Sequence, residues 1–322
     1  MLYPLKFKPR FKERIWGGRL LAEKLGKKLP AGRPVGESWE IADVGRDVSV
    51  VASGPLAGND IEELTEVYMG ELVGDKVFER FGLQFPLLIK YIDAEEPLSV
   101  QVHPDDELAA GRHGSFGKTE MWYVVDCEPD AELGLGLREG VTREEYLRRA
   151  EEGTLPEILV RRKAHPGDAF FVPAGTVHYI GKGMLVAEIQ QTSDATYRIY
   201  DWGRADSDGQ PRELHLAEAA EAVRFEQDAP LEVTAAPRVN EAVRLVRCPY
   251  FTTNLIELDG SMERGYVELD SMVVYMVTEG SVSIGWRDGS ETAGLGQTVL
   301  LPACIEHVTL SGRAKLLEIY ID

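Results

Sequence analysis

Residues 167–178, GDAFFVPAGTVH, return in altered form at residues 296–307, GQTVLLPACIEH, with glycine, proline and a closing histidine at the same spacing. Each copy is preceded by a related apolar run, EMWYVVD from Glu120 and SMVVYMVTEG from Ser271. A repeated strand–turn–histidine unit limits the chain to two copies of one β-rich building block. Its tight Gly/Pro connections between short strands favour barrels or sandwiches over a wound parallel sheet. The expected fold is therefore mainly β: two jelly-roll barrels or sandwiches with a few short helices packed outside.

The rest of the chain fits that division. Pro4, Pro9, Gly17, Gly18, Pro30 and Pro34 break residues 1–58 into short extended pieces, with one short helix over Leu20–Leu25. From Asn59 the pattern becomes helical: Ile61, Leu64, Tyr68 and Leu72 recur on one face, and Asp60 with Glu63 forms a capping signal. Helices are expected over 60–70 and 74–81, at 142–152 behind Thr142, and in LHLAEAAEAVRF. Beyond residue 238 short strands alternate with turns at roughly 8–12-residue spacing. The expected domains are 1–235, carrying the chemistry with N-terminal strands and a small helical portion (about 59–81), and 236–322, a degenerate copy.

Charge narrows the partners. A net charge of −19 leaves no basic face for nucleic acid, and an anionic substrate would need a local cationic pocket. Three cysteines without a CxxC pattern suit buried thiols in a reducing cytoplasm. The basic start carries no long apolar run, so no signal peptide is expected, and no stretch approaches the ~18 apolar residues of a membrane span.

The chemistry concentrates in Ser99–Tyr123, SVQVHPDDELAAGRHGSFGKTEMWY. Strand alternation puts Gln101 on one face with His103, and Lys118 on one face with Glu120. Two paired strands would then aim an amide, an imidazole, an ammonium and a carboxylate into one cavity. Such a donor set suits a borderline divalent metal such as zinc, with His178 supplying a further ligand. His113, His165 and His215 read as surface residues. His307 reads as a non-ligand, because its copy has Ser271 for Glu120 and Cys304 for Gly175.

GDAFFVPAGTVH follows the second cupin motif, Gly-x5-Pro-x-Gly-x2-His. Together with PLSVQVHPDDELA, KTEMWYVVD, AEIQQTSDATYRIYDWGR, IWGGRL and GESWEIAD, it makes the chain resemble the short bacterial form of type I mannose-6-phosphate isomerase over most of its length. The resemblance implies a zinc-dependent aldose–ketose isomerase, with one Zn2+ per chain. It would interconvert mannose 6-phosphate and fructose 6-phosphate through an enediol. It implies Gln101, His103, Glu120 and His178 as metal ligands, and Lys118, Ser99, Arg198 and Lys90 as active-site groups. The longer members' inserted helical domain is missing, and TYRIYDWGR stands downstream.

Such an isomerase needs a base to shuttle a proton and fixed cations for a phosphate dianion. Arg198, Lys90, Lys118 and Ser99 could hold the phosphate, Asp194 is a further acid/base candidate, and Trp16 either lines the sugar site or belongs to the core. Which group moves the C1–C2 proton stays open at this level. The expected partner is a small sugar phosphate, with no nucleic acid or membrane, for a monomer or homodimer in the cytoplasm. The alternatives are a non-catalytic sugar-binding cupin and a metal cupin oxygenase.

Overall fold

Every side chain of the strand Leu87–Ala94 is buried, and so is every one of Met184–Gln191. Alternation sends successive side chains to opposite faces, so a strand buried throughout must lie in a sheet covered on both sides. The structure, a computed structural model, describes residues 2–205, 209–226 and 231–322. In it these strands are the centre of a seven-stranded antiparallel sheet. The order is Arg10–Gly18, Val35–Ile41, Leu87–Ala94, Met184–Gln191, Glu120–Cys127, Ala169–Val172 and Glu232–Val233.

One face of this sheet opposes a five-stranded sheet ordered Tyr197–Tyr200, Val100–Val102, His178–Ile180, Glu132–Leu137 and Leu159–Lys163. Ile92, Trp122, Val124 and Val186 pack there against Leu133, Leu135 and Ile180. The other face, bearing Ile89, Tyr91, Met121, Tyr123 and Ile189, shares a core with Leu255, Val274, Met276, Leu317 and Ile319 of a third sheet. Each such side chain contributes about 1.5–3 kcal/mol on burial, so the large sheet is held from both sides.

The third sheet is six-stranded and is built from 14-residue strands, Thr252–Gly265, Val273–Trp286 and His307–Tyr320, flanked by Ala242–Arg247, Gly289–Gly294 and Thr298–Leu301. The N-terminal segment is tied to it by a reciprocal backbone pair between Leu5 and Leu300.

The helices follow their caps. Asp60 accepts from the backbone N–H of Glu63, whose side chain accepts in return from Asp60 N–H, and the helix runs Ile61–Tyr68. Two short helices, Gly70–Val73 and Asp75–Phe81, follow it, so the break falls before Gly70 and again at Gly74. Thr142 caps Arg143–Glu151 through Glu145 N–H, and Leu216–Ala222 forms the last helix. None of the described helices is long and apolar enough to cross a membrane.

Two expectations need correction. Val100–Val102 and the strand starting at Glu120 are not paired; they belong to opposite sheets and face each other across the interior. His103 lies just past its strand and Lys118 just before the other. The repeat is also offset from its sequence alignment. Val172 pairs with Glu120 in the first copy, and Leu301, its equivalent before proline, pairs with Val273 in the second. The counterpart of Glu120 is thus the apolar Val273 rather than Ser271, because strand register, not loop length, sets the correspondence.

The turn Pro173–Thr176 carries His178 into place. Gly175 sits at φ +88°, and its N–H donates to His103 O at 2.9 Å, joining two of the histidine segments. A Cβ at this position would lie 2.6 Å from Arg224 Cγ and 2.9 Å from Ala222 O. Gly175→Ala should therefore cost about 1–3 kcal/mol in denaturant unfolding and reduce bound metal. Unchanged stability and metal content would show that the turn does not need the left-handed conformation.

Candidate metal centre and active site

His103 and His178 are anchored by their inner ring nitrogens. His103 Nδ1–H donates to Ala195 O at 3.0 Å and His178 Nδ1–H to Thr176 O at 2.9 Å. Donation from Nδ1 fixes the tautomer, so both Nε2 atoms present lone pairs. These lone pairs face the Glu120 carboxylate: His103 Nε2 lies 3.3 Å from Oε2, and His178 Nε2 lies 3.3 Å from Oε1. All three side chains are buried, and neither Glu120 oxygen accepts a hydrogen bond from the described residues.

Acceptors facing acceptors in a dry interior repel one another unless a cation lies among them. The donor atoms fall within 4.8 Å of one another, and a two-histidine, one-carboxylate set fits a divalent metal. Lys118 Nζ stands at the same point, 3.0 Å from His103 Nε2 and 3.5 Å from Glu120 Oε2. Protonation states agree with ligation. Burial, reinforced by Lys118, pushes His103 down to about 3, and burial also lowers His178. Burial works to raise Glu120, but Lys118 and the two imidazoles outweigh it and hold the carboxyl below its usual range.

Backbone bonds lock the donor segments together. Gly175 N–H reaches His103 O, Lys118 N–H reaches Pro104 O, and Ala174 N–H reaches Thr119 Oγ1. Gln101 lies opposite His178 in the small sheet, and its Nε2 is 3.2 Å from His178 Nε2. Ser99 Oγ is 3.5 Å from Gln101 Oε1. Rotating the amide would exchange the two ends, so Gln101 has the reach either to donate to His178 or to offer its oxygen to a cation.

A cavity of about 340 Å³ opens beside this cluster. Trp16, Lys90, Ser99, Gln101, Lys118, Asp194 and Arg198 all line it, which unites the sequence-derived candidates around one space. Trp16 also packs in the core between the first two sheets, so one ring serves as both core and cavity wall. Lys90 departs from expectation. Its Nζ lies 2.8 Å from Glu188 Oε1 and 3.9 Å from Glu37 Oε2, so its charge is already engaged by carboxylates rather than free for a phosphate. Those acids share its face of the large sheet, as Lys90 is paired with Glu188 in register.

His215 also departs from expectation. It is half-buried, and its Nδ1 accepts the backbone N–H of Arg198, holding that strand. His113 and His165 are exposed, and so is His307.

Sequence reasoning missed Glu37, Glu188, Arg14, Trp122 and Arg212, which also line the cavity. The available signal was charge inside otherwise apolar strands: Glu188 in MLVAEIQQ and Glu37 in VGESWEI, both in fully buried strands. Glu188 accepts from Trp122 Nε1 at 2.9 Å, and Trp122 packs edge-on against the His178 ring. Burial, then the charge of Glu120, pushes the Glu188 carboxyl up, against the pull of Lys90. Glu37 goes the other way: burial raises it, but Lys90, Arg14 and the Trp39 indole N–H together carry it down to about 2.

Two facing antiparallel sheets with a His–Glu–His cluster between them define a metal-binding cupin. The family model for "Phosphomannose isomerase type I, catalytic domain" matches residues 4–139. "Mannose-6-phosphate isomerase ManA" of Bacillus subtilis is 43% identical over 264 residues, covering 80% of each chain. The "Probable mannose-6-phosphate isomerase GmuF" of the same organism is 36% identical over 320 residues, 98% of this chain and 99% of that one. A crystal structure of the mannose 6-phosphate isomerase from Bacillus subtilis superposes with a TM-score of 0.90 at 35% identity, covering 99% of this chain and 100% of that one. The chain belongs to the type I phosphomannose isomerase family, and it is an enzyme of the isomerase class.

Two outcomes follow from this geometry. His178→Ala should abolish stoichiometric binding of a divalent metal, read by elemental analysis after gel filtration, while far-UV circular dichroism stays that of a β protein. Glu37 links stability to acid. Its unfolded carboxyl binds a proton near the ordinary 4.5, whereas the folded one does so only near 2. Between these values the unfolded state holds more protons, so the contribution of Glu37, roughly 3 kcal/mol, is complete above pH 4.5 and lost as the pH falls to 2. Glu37→Gln should be less stable at pH 7 and should lack that part of the acid slope in urea titrations.

Proposed function

We propose that this enzyme interconverts D-mannose 6-phosphate and D-fructose 6-phosphate, with one Zn2+ held by His103, Glu120, His178 and Gln101. The observation that carries the metal is the Glu120 carboxylate, bare of hydrogen-bond donors and faced by two Nε2 lone pairs. When bound, the ion supplies Lewis-acid charge that stabilises the negative charge developing on the sugar oxygens.

The side chains divide the remaining work. Isomerisation moves a proton from C2 to C1 while a hydroxyl proton passes from O2 to O1, through an enediol. Lys118, beside Glu120, donates to and accepts from the sugar oxygens. Asp194, which is exposed and lines the cavity, serves ring opening in this reading. Glu188 is a further acid/base group, since its raised carboxyl shares the cavity with Lys118 and Gln101. Lys90 holds Glu188 and Glu37 in position rather than bearing the phosphate itself. Arg198 and Ser99 face the anionic end, and Trp16, with Leu98, Ile92 and Ile180, gives the sugar an apolar wall that limits water.

In the same reading residues 1–235 form the catalytic unit, and 236–322 are a degenerate copy that supports it. The enzyme works in the cytoplasm as a monomer or homodimer, with a small sugar phosphate rather than nucleic acid or a membrane as its partner.

The decisive measurement is conversion of mannose 6-phosphate to fructose 6-phosphate before chelation, after chelation, and after return of Zn2+. Activity should vanish with the metal and come back with it. Lys118→Met should retain metal but lose turnover by roughly 100-fold or more. Full activity in the chelated protein, or no turnover with any divalent metal restored, would sink the assignment.

A further inference from the structure

Two arginines share one buried acid at the wall of the cavity. Asp201 is 7% exposed and accepts from Arg204 Nη2 at 2.5 Å, from Arg212 Nε at 2.6 Å, and from Arg212 Nη2. Arg198 is not among these donors to Asp201. Its Nη1 donates to Glu213 O, and its Nε is buried without a hydrogen-bond partner among the described residues. Two guanidiniums thus bind one carboxylate, and the third, Arg198, lies near enough to feel the charge of all three groups, in a chain of net charge −19. Of the three, Arg198 and Arg212 line the cavity and Arg204 does not.

Strand register says where this charge lies relative to the metal ligands. Arg198 pairs with Gln101 and Tyr200 with Val100. Beyond them Trp202 Nε1 donates to Leu98 O and Arg204 Nη1 to Pro97 O. The arginine group therefore runs alongside Ser99–Pro97, and Ser99 lies two residues, about 7 Å, along the strand from Gln101. Such a displacement matches a substrate whose reacting carbons sit at one end and whose phosphate sits at the other.

We infer that Arg212 is the residue that reads the substrate's phosphate. Asp201 clasps its guanidinium through Nε and Nη2 and so aims it, leaving the Nη1 edge, without a partner among the described residues, to meet phosphate oxygens together with Arg198. Arg212 is then the specificity determinant that separates a phosphorylated sugar from the free sugar. The inference rests on the isomerase reading above and adds to it a named residue and the class of anion it takes. Arg14, the other cavity guanidinium, does not compete for this role, because its Nε is bound to Glu37 at 2.7 Å.

Arg204 provides the internal control, since it clasps the same acid without lining the cavity. Arg212→Gln should raise KM for mannose 6-phosphate, and Ki for inorganic phosphate as a competitive inhibitor, by roughly 10- to 100-fold. Its kcat should stay within about threefold, the pattern for lost uniform binding. Arg204→Gln should move KM and Ki by no more than about twofold, even if its melting temperature falls. If Arg212→Gln does not fold, Arg212→Lys, which keeps the charge but loses the planar fork, should still raise the phosphate Ki severalfold. An unchanged Ki in the Arg212 variants, or an equal rise in Arg204→Gln, overturns the inference. Calorimetric titration of inorganic phosphate into the metal-loaded protein needs no turnover. It therefore separates failure at Arg212 from failure of the isomerase reading.

Discussion

The structure depends on a buried carboxylate that accepts no hydrogen bond from the described residues. Glu120 reaches in from the large sheet, His103 and His178 reach in from the side of the small one, and all three present lone pairs to the same point. In a buried setting that arrangement is unfavourable by itself, so the fold must overdetermine it. It does so with backbone bonds between the donor segments and with Nδ1 anchors that leave neither ring free to rotate. The same arrangement becomes favourable once positive charge enters, and Lys118 already supplies some.

The second copy of the unit shows the alternative fate of a buried acid. Glu318 is fully buried, yet Arg264 binds both its oxygens, and Tyr266 and Asn254 donate to it as well. Every acceptor there is answered from within the chain, which makes the group a structural cross-link. With Val273 in the position of Glu120, the second repeat has an apolar side chain where the first has a carboxylate. Its apolar residues cover the outer face of the large sheet, which frees the inner face to carry Lys90, Glu120 and Glu188.

Those inner-face charges form a graded field. Nearest the histidines, Glu120 is held ionised chiefly by Lys118; next to it, Glu188 is pushed toward protonation by burial and by Glu120 itself; beyond, Lys90 and Arg14 keep Glu37 charged. Carboxyl groups driven in opposite directions within one cavity are what proton transfer requires. The guanidinium group around Asp201 closes the wall with positive charge that Asp201 alone does not balance.

Much of this was legible in the chain. The repeated Gly–Pro–His spacing announced two β units, Asp60 and Thr142 announced their helices, and the charged and imidazole side chains of Ser99–Tyr123 marked where the chemistry concentrates. These are local properties, set by side-chain period and backbone capping, and a sequence carries them without folding. The partners across the interior were not legible. That the Gln101 and Glu120 strands oppose rather than pair, that Lys90 is engaged by Glu37 and Glu188, and that Asp201 belongs to Arg204 and Arg212 all follow from which sheets face each other. Contacts of that kind join residues as far apart as 90 and 188. The sequence determined which residues carry chemistry, and the tertiary structure decided which of their charges remain uncompensated, because compensation depends on distance in space and not along the chain.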